Sequence, residues 1–147
     1  MSLRTADFFL HAVKDSEEVT AIVDDRIYLP ARPTVDENED TIPYMIVMPG
    51  NVTNNADTKD DGVEGDEDTA NVSILCVARS HDELMDLCES VREACASAWE
   101  VGEDKETPVE WNFSATDELY DPSKPCNYLT LNYQCITERI YYERSES

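Results

Sequence analysis

Apolar residues recur at helical spacing at the start of the chain, alternate in its middle, return to helical spacing, and alternate again towards the end. In "TADFFLHAVKD", Phe8, Phe9, Ala12 and Val13 fall on one side of a helix, with Thr5 as its N-cap. "SEEVTAIVDD" repeats this on a smaller scale: Ser16 caps, and Val19, Ile22 and Val23 form the stripe. "RIYLPARP" is extended, and Pro30 and Pro33 end regular structure there. "TIPYMIVMPG" is a short strand bounded by Pro43 and by Pro49-Gly50. "ANVSILCVARS" alternates and is rich in β-branched residues, so it is a second strand. The two strands form a hairpin around a long acidic segment.

"SHDELMDLCESVREACASAWE" carries the strongest pattern. Ser80 and Glu83 make a capping box. Leu84, Leu87, Cys88, Val91, Cys95 and Ala98 follow one buried stripe, with charged residues on the wet side. "VEWNFSATDELY" is a strand with Val109, Trp111 and Phe113 on one face. "DPSKP" turns the chain into "CNYLTLNYQCITERIYY", the longest strand. Leu129, Leu131, Tyr133 and Cys135 share its core face, and Tyr128, Thr130, Asn132 and Gln134 point the other way. The expected fold is α+β, one domain over residues 1–147 with 1–4 and 140–147 frayed. Its sheet is antiparallel or mixed. The N-terminal helix and the long amphipathic helix pack on one face of it.

Charge changes the picture. The chain of 147 residues holds 33 acids against 11 Lys and Arg, a net charge of −22. Such a surface repels nucleic acid, and its scattered cations form no phosphate-binding patch, so direct high-affinity DNA or RNA binding is not expected. No stretch reaches the apolar length of a membrane span, and the first residues lack a signal-peptide pattern, so a soluble intracellular product is expected. The five cysteines form no C-x-x-C pair and lie inside apolar patterns, as buried reduced thiols do; a structural zinc site lacks the spacing.

The acidic segment "NNADTKDDGVEGDEDTA" spans residues 54–70, with Asp57, Asp60, Asp61, Glu64, Asp66, Glu67 and Asp68. As a calcium loop starting at Asp57 it has Asp61 and Gly62 in place, but Lys59 stands where a ligand belongs. Asp68 replaces the final bidentate Glu, and strands flank it. A DNA mimic needs carboxylates held rigidly at phosphate spacing, which a glycine-containing loop does not supply. The solvated tip of a hairpin needs nothing further. His11 and His81 lie beside no nucleophile, and no G-x-S-x-G, P-loop, H-E-x-x-H or G-x-G-x-x-G motif occurs, so no enzyme, metal or cofactor is expected. The face Tyr128, Thr130, Asn132 and Gln134 is uncharged in a charged protein and reads as a subunit contact.

"VTAIVDDRIYLPARP" followed by "IPYMIVMPG" resembles the small tail-completion and tail-terminator proteins of long-tailed bacteriophages. Arg26, Ile27, Tyr28, Pro43 and Tyr44 stand at the matching places. "NVSILCVARSHDELMDLCESVREAC" is similar to the family's strand and long helix, and "CNYLTLNYQCITE" to its last strand. The long acidic insert at 54–69 and the loop near 100–107 depart from the pattern. The resemblance implies a non-enzymatic structural protein without cofactor. It implies a ring, of six subunits in the assembled tail, that terminates the tail tube and joins it to the head. Its partners would be itself, the tail tube protein and the head-tail connector protein. It would pass from the host cytoplasm during assembly to the virion tail, or to a prophage-derived particle. The acidic loop would face the DNA channel, and Tyr44 with the Tyr128 face would meet the next subunit. The alternative is an acidic inhibitor that mimics DNA and binds a nucleic-acid-binding protein.

Overall fold

The computed structural model describes residues 2–30, 42–55 and 66–138. Helix α1 spans Thr5–Lys14, α2 Glu17–Val23 and α3 His81–Val101. The strands are β1 Ile27–Tyr28, β2 Tyr44–Asn54, β3 Glu67–Ala78, β4 Glu110–Ala115, β5 Leu119–Asp121 and β6 Cys126–Glu138. They make one open sheet in the order β1-β2-β3-β6-β4, with β5 also on β6. The pairings are antiparallel except β1 with β2, so the sheet is mixed.

Strand parity explains why the helices choose one face. Met45 pairs with Cys76 and Cys76 with Leu129; Val47 pairs with Ile74 and Ile74 with Leu131. These side chains are buried, and the core that contains them takes in Phe8, Phe9 and Val13 of α1 and Leu84, Leu87 and Val91 of α3. At its centre Phe9 lies 4.6 Å from the Tyr133 ring, 5.0 Å from Phe8 and 5.6 Å from Trp111, all centroid distances.

The capping signals act at two of three helices. The Val19 N–H donates to Ser16 Oγ at 3.2 Å, and the Glu83 N–H donates to Ser80 Oγ at 3.2 Å. Glu83 reaches back one residue further than a standard capping box: its carboxylate accepts from the Arg79 N–H at 3.0 Å. Gly102, at φ 66°, ends α3 in the left-handed region, and its N–H donates to the Ala98 carbonyl. Thr5 is not a cap. A 3₁₀ turn at Ser2–Arg4 leads straight into α1, Arg4 holds the cap position, and Thr5 is the first helical residue, buried.

Three strand boundaries differ from the periodicity. β2 does not stop at Pro49-Gly50: it runs on to Asn54 through a register shift between Pro49 and Val52, and Pro49 shares the parity of Met45, whose N–H turns away from β3 to the Arg26 carbonyl, so the ladder with β3 loses no bond at the proline. β3 starts at Glu67 rather than Ala70, so Glu67 and Asp68 are strand residues. Asp68 is buried and accepts from Asn54 Nδ2 at 2.8 Å. "VEWNFSATDELY" splits into β4 and β5 at 116–118, and Val109 precedes the strand, exposed. The segment 56–65, with Asp57, Asp60, Asp61 and Glu64, lies outside the described residues.

Gly50 makes the bulge close. A Cβ there would sit 2.8 Å from the Asn71 carbonyl oxygen, a backbone atom with nowhere to turn. Gly50→Ala should therefore cost about 1–3 kcal/mol in urea unfolding. A loss under about 0.3 kcal/mol would show that the hairpin shifts freely here.

Candidate assembly surface

No described helix covers the second face of the sheet. Its rows follow from the pairing register: Tyr44–Val77–Tyr128–Leu119, then Ile46–Leu75–Thr130, then Met48–Ser73–Asn132–Ser114, then Asn71–Gln134–Asn112. None of these residues is charged, although 30% of the chain is. Charge returns beyond the rows at both ends: Asp121 lies across from Cys126 at one, and Glu110 across from Ile136 and Glu67 across from Glu138 at the other.

The face grades from apolar to amide. At one end Ile42, Val77 and Cys126 are buried as a second small core, with Tyr44, Leu75 and Tyr128 packed on it. Leu119 remains 52% exposed beside it, too much for a side chain with a role in this chain's own core. At the other end Ser73 Oγ donates to Asn132 Oδ1 at 2.7 Å, and Asn71 Nδ2 donates to Asn51 Oδ1 at 2.8 Å. These bonds hold amides in place on an otherwise open surface.

The structure thus brings Tyr44, Tyr128, Thr130, Asn132 and Gln134 onto one face. It adds Ile46, Met48, Leu75 and Leu119, which periodicity alone left unassigned. Their alternation within β2 and β3 was visible, but which strand lay beside which was not. Among the acids, Asp66 is exposed just before β3, and Glu67 is half-buried.

The helical side is different in kind. A groove of about 540 Å³ between α1 and α3 is bordered by Asp15, Glu17, Glu18, Glu93, Glu103 and Asp104. His11 Nδ1 lies 2.7 Å from Asp104 Oδ2 at its rim. His81 has a carboxylate partner as well: its Nδ1 lies 2.6 Å from Glu118 Oε1. Partial burial pushes the Asp104 carboxyl up, but the His11 bond, the Glu106 N–H and the charges of His11 and Lys105 outweigh it and leave the group lowered. A lowered folded value means stability present above the ordinary carboxylate range and lost as pH falls through the folded value. The contribution is under about 1 kcal/mol for so solvated a pair. In a carbon-13 titration His11→Ala should move the Asp104 transition upward; an unmoved transition would show that His11 is not its partner.

No chemistry is set up at the thiols. All five cysteines are free and buried. Burial pushes Cys95 and Cys135 up to about 12, and contact with Cys88 together with burial raises Cys76, so these are not nucleophilic thiolates.

One local geometry ties the sheet to a recognisable lineage. β1 lies parallel to the start of β2, with Ile27 opposite Met45 and Tyr28 opposite Ile46. Arg26 Nε donates to the Pro43 carbonyl at 2.8 Å, and the Tyr28 and Tyr44 rings are 6.2 Å apart. The R-I-Y and P-Y segments are therefore a single joint. A family model described as "Tail completion protein gp17" matches residues 9–138. The chain belongs to this family. Membership in the tail completion family places it among the structural proteins of phage tails. A chain in the solved structure "Virion of native gene transfer agent (GTA) particle" has the same fold. The TM-score is 0.61 at 13% identity, over 89% of this chain and 92% of that one. No curated protein matches.

Proposed function

We propose that this tail completion protein is a non-enzymatic ring component that terminates the tail tube and joins it to the head. Six copies would assemble, contacting one another through the uncharged sheet face. Tyr44, Tyr128, Thr130, Asn132 and Gln134 are the proposed contact residues. The tail tube protein and the head-tail connector protein would lie on either side. The chain would be made and assembled in the host cytoplasm and end in the virion tail.

The observation that carries this is the bare, charge-free face. Copies with a net charge of −22 repel one another, so self-association is least opposed where no charge is buried. A face that is apolar at one end and amide-lined at the other also matches the core and rim of an interface. The acids Asp57, Asp60, Asp61, Glu64, Asp66, Glu67 and Asp68 are proposed to lie towards the channel, where negative charge would keep passing DNA from adhering. Asp68 would act there through its place in β3 rather than from a loop tip.

Reconstruction of particles by electron microscopy tests the proposal. The expected result is six copies at the head-proximal end of the tail, with sheet faces between neighbours. Particles that join head to tail normally without this chain would refute it. A chain that stays monomeric at every stage and competes with DNA for a protein would favour the DNA-mimic alternative.

A further inference from the structure

β4 ends the sheet, so one side of it meets no strand among the described residues. The Thr116 N–H donates to the Thr130 carbonyl at 2.9 Å, which sets the alternation along this edge. Even-numbered residues of β4 turn their backbone groups towards β6; Trp111, Phe113 and Ala115 turn theirs outward. Natural sheets blunt an edge with lysine, proline or a bulge. β4 reads "EWNFSA" in regular register with no lysine or proline; its one charge is Glu110, and Pro108 and an irregular bond from the Val109 N–H to the Ile136 carbonyl lie at its start, so the stretch Trp111–Ala115 is the unprotected part. The opposite edge does have them: β1 covers its start, and Pro49 and a register shift interrupt the remainder.

A cation stands at the open edge. The guanidinium carbon of Arg92, on α3, lies 3.9 Å from the centre of the Phe113 ring. Arg92 is exposed, and no carboxylate among the described residues forms an ion pair with it, although Glu89 and Glu93 are within one helical turn. Stacking holds the planar fork beside the edge with its donors available. A strand added to β4 would place a side chain next to Phe113, within reach of that fork.

We infer that the β4 edge receives an extended segment of another protein, one carrying a carboxylate on the helix-layer side opposite Phe113. This rests on the reading of the chain as one component of a larger particle. A second copy of this chain fits less well. Its β1 and β2 strands carry no acid, and Glu110 of a second β4 or Asp121 of a second β5 would lie on the bare face of the sheet, away from Arg92.

Two arms test this and fail separately. In the first, the isolated chain is titrated with labelled nine-residue peptides of alternating Thr and Val with Glu or Lys at the centre, read by fluorescence polarisation. The Glu peptide should bind at least tenfold more tightly. Arg92→Glu should reverse the preference, and Arg92→Lys should keep its sign. Equal binding of the two peptides, or a preference that Arg92→Glu leaves unchanged, overturns the inference. In the second, hydrogen exchange over residues 109–116 is compared between the free chain and purified particles. Slowing of at least tenfold in particles supports the inference. Equal exchange in particles that contain the chain overturns it, as does slowing in the free chain that grows with its own concentration. Absence of the chain from particles refutes the tail assignment instead, and the peptide arm then decides the edge.

Discussion

Phe9→Ala is expected to destabilise the free chain by about 3–5 kcal/mol. Phe9 is fully buried, and its ring contacts Phe8, Trp111 and Tyr133, which come from α1, β4 and β6. Removing it deletes a large apolar surface and leaves a cavity that three elements line. The two aromatic partners from the sheet, Trp111 and Tyr133, meet edge-on at 5.4 Å and cannot both close over the gap. In a chain of this size the loss should lower the melting temperature by roughly 10 °C. Urea unfolding monitored by tryptophan fluorescence is the direct measurement, because Trp111 reports on the same cluster. Leu119→Ala, at a half-exposed position, should change the free chain's stability by no more than about 0.5 kcal/mol. Similar losses from both variants would mean that the core does not centre where Phe9 sits.

The second large effect concerns assembly rather than stability. Asn132→Asp keeps the shape of the side chain and the acceptor that Ser73 Oγ uses, while adding a charge at the middle of the uncharged face. In the free chain water solvates that charge, so unfolding should change by less than about 1 kcal/mol. In a closed contact the carboxylate is buried without a partner, at a cost of roughly 3 kcal/mol per contact, or more than a hundredfold in affinity. Sedimentation velocity and native mass spectrometry of reconstituted rings would read this. Glu100→Gln on α3, remote from the face, should leave assembly intact. Rings that form equally well with Asn132→Asp would exclude this face as the subunit contact.

Elements with a long, one-sided pattern were legible in advance. The stripe Leu84, Leu87, Cys88, Val91 and Cys95 is the buried side of α3, and Leu129, Leu131, Tyr133 and Cys135 are the buried side of β6. Boundaries were less legible where a local rule met a tertiary override. Pro49-Gly50 reads as a strand end, yet pairing with Val72 on β3 carries β2 past it. Thr5 reads as a cap, yet a 3₁₀ turn precedes it and the residue is buried in the helix. Glu67 and Asp68 read as loop because they are acidic, yet pairing with Glu138 and Thr137 of β6 holds both in a ladder. The two histidine–carboxylate pairs join residues 93 and 37 positions apart, a separation that no local pattern encodes.

Periodicity by itself determined the α+β class, because burial on one side requires a period of 3.6 in a helix and of 2 in a strand. Charge by itself argued against nucleic-acid attraction, since Coulomb repulsion depends on net charge more than on detail. Only the tertiary structure decided strand order, and with it the meaning of the uncharged positions. Tyr128, Thr130, Asn132 and Gln134 are a stripe in the sequence; flanked by β3 on one side and by β4 and β5 on the other they become a surface. Register is set by pairing between residues far apart in the chain, so the neighbours of each strand, and the edge that β4 leaves open beside Arg92, exist only once the sheet has formed.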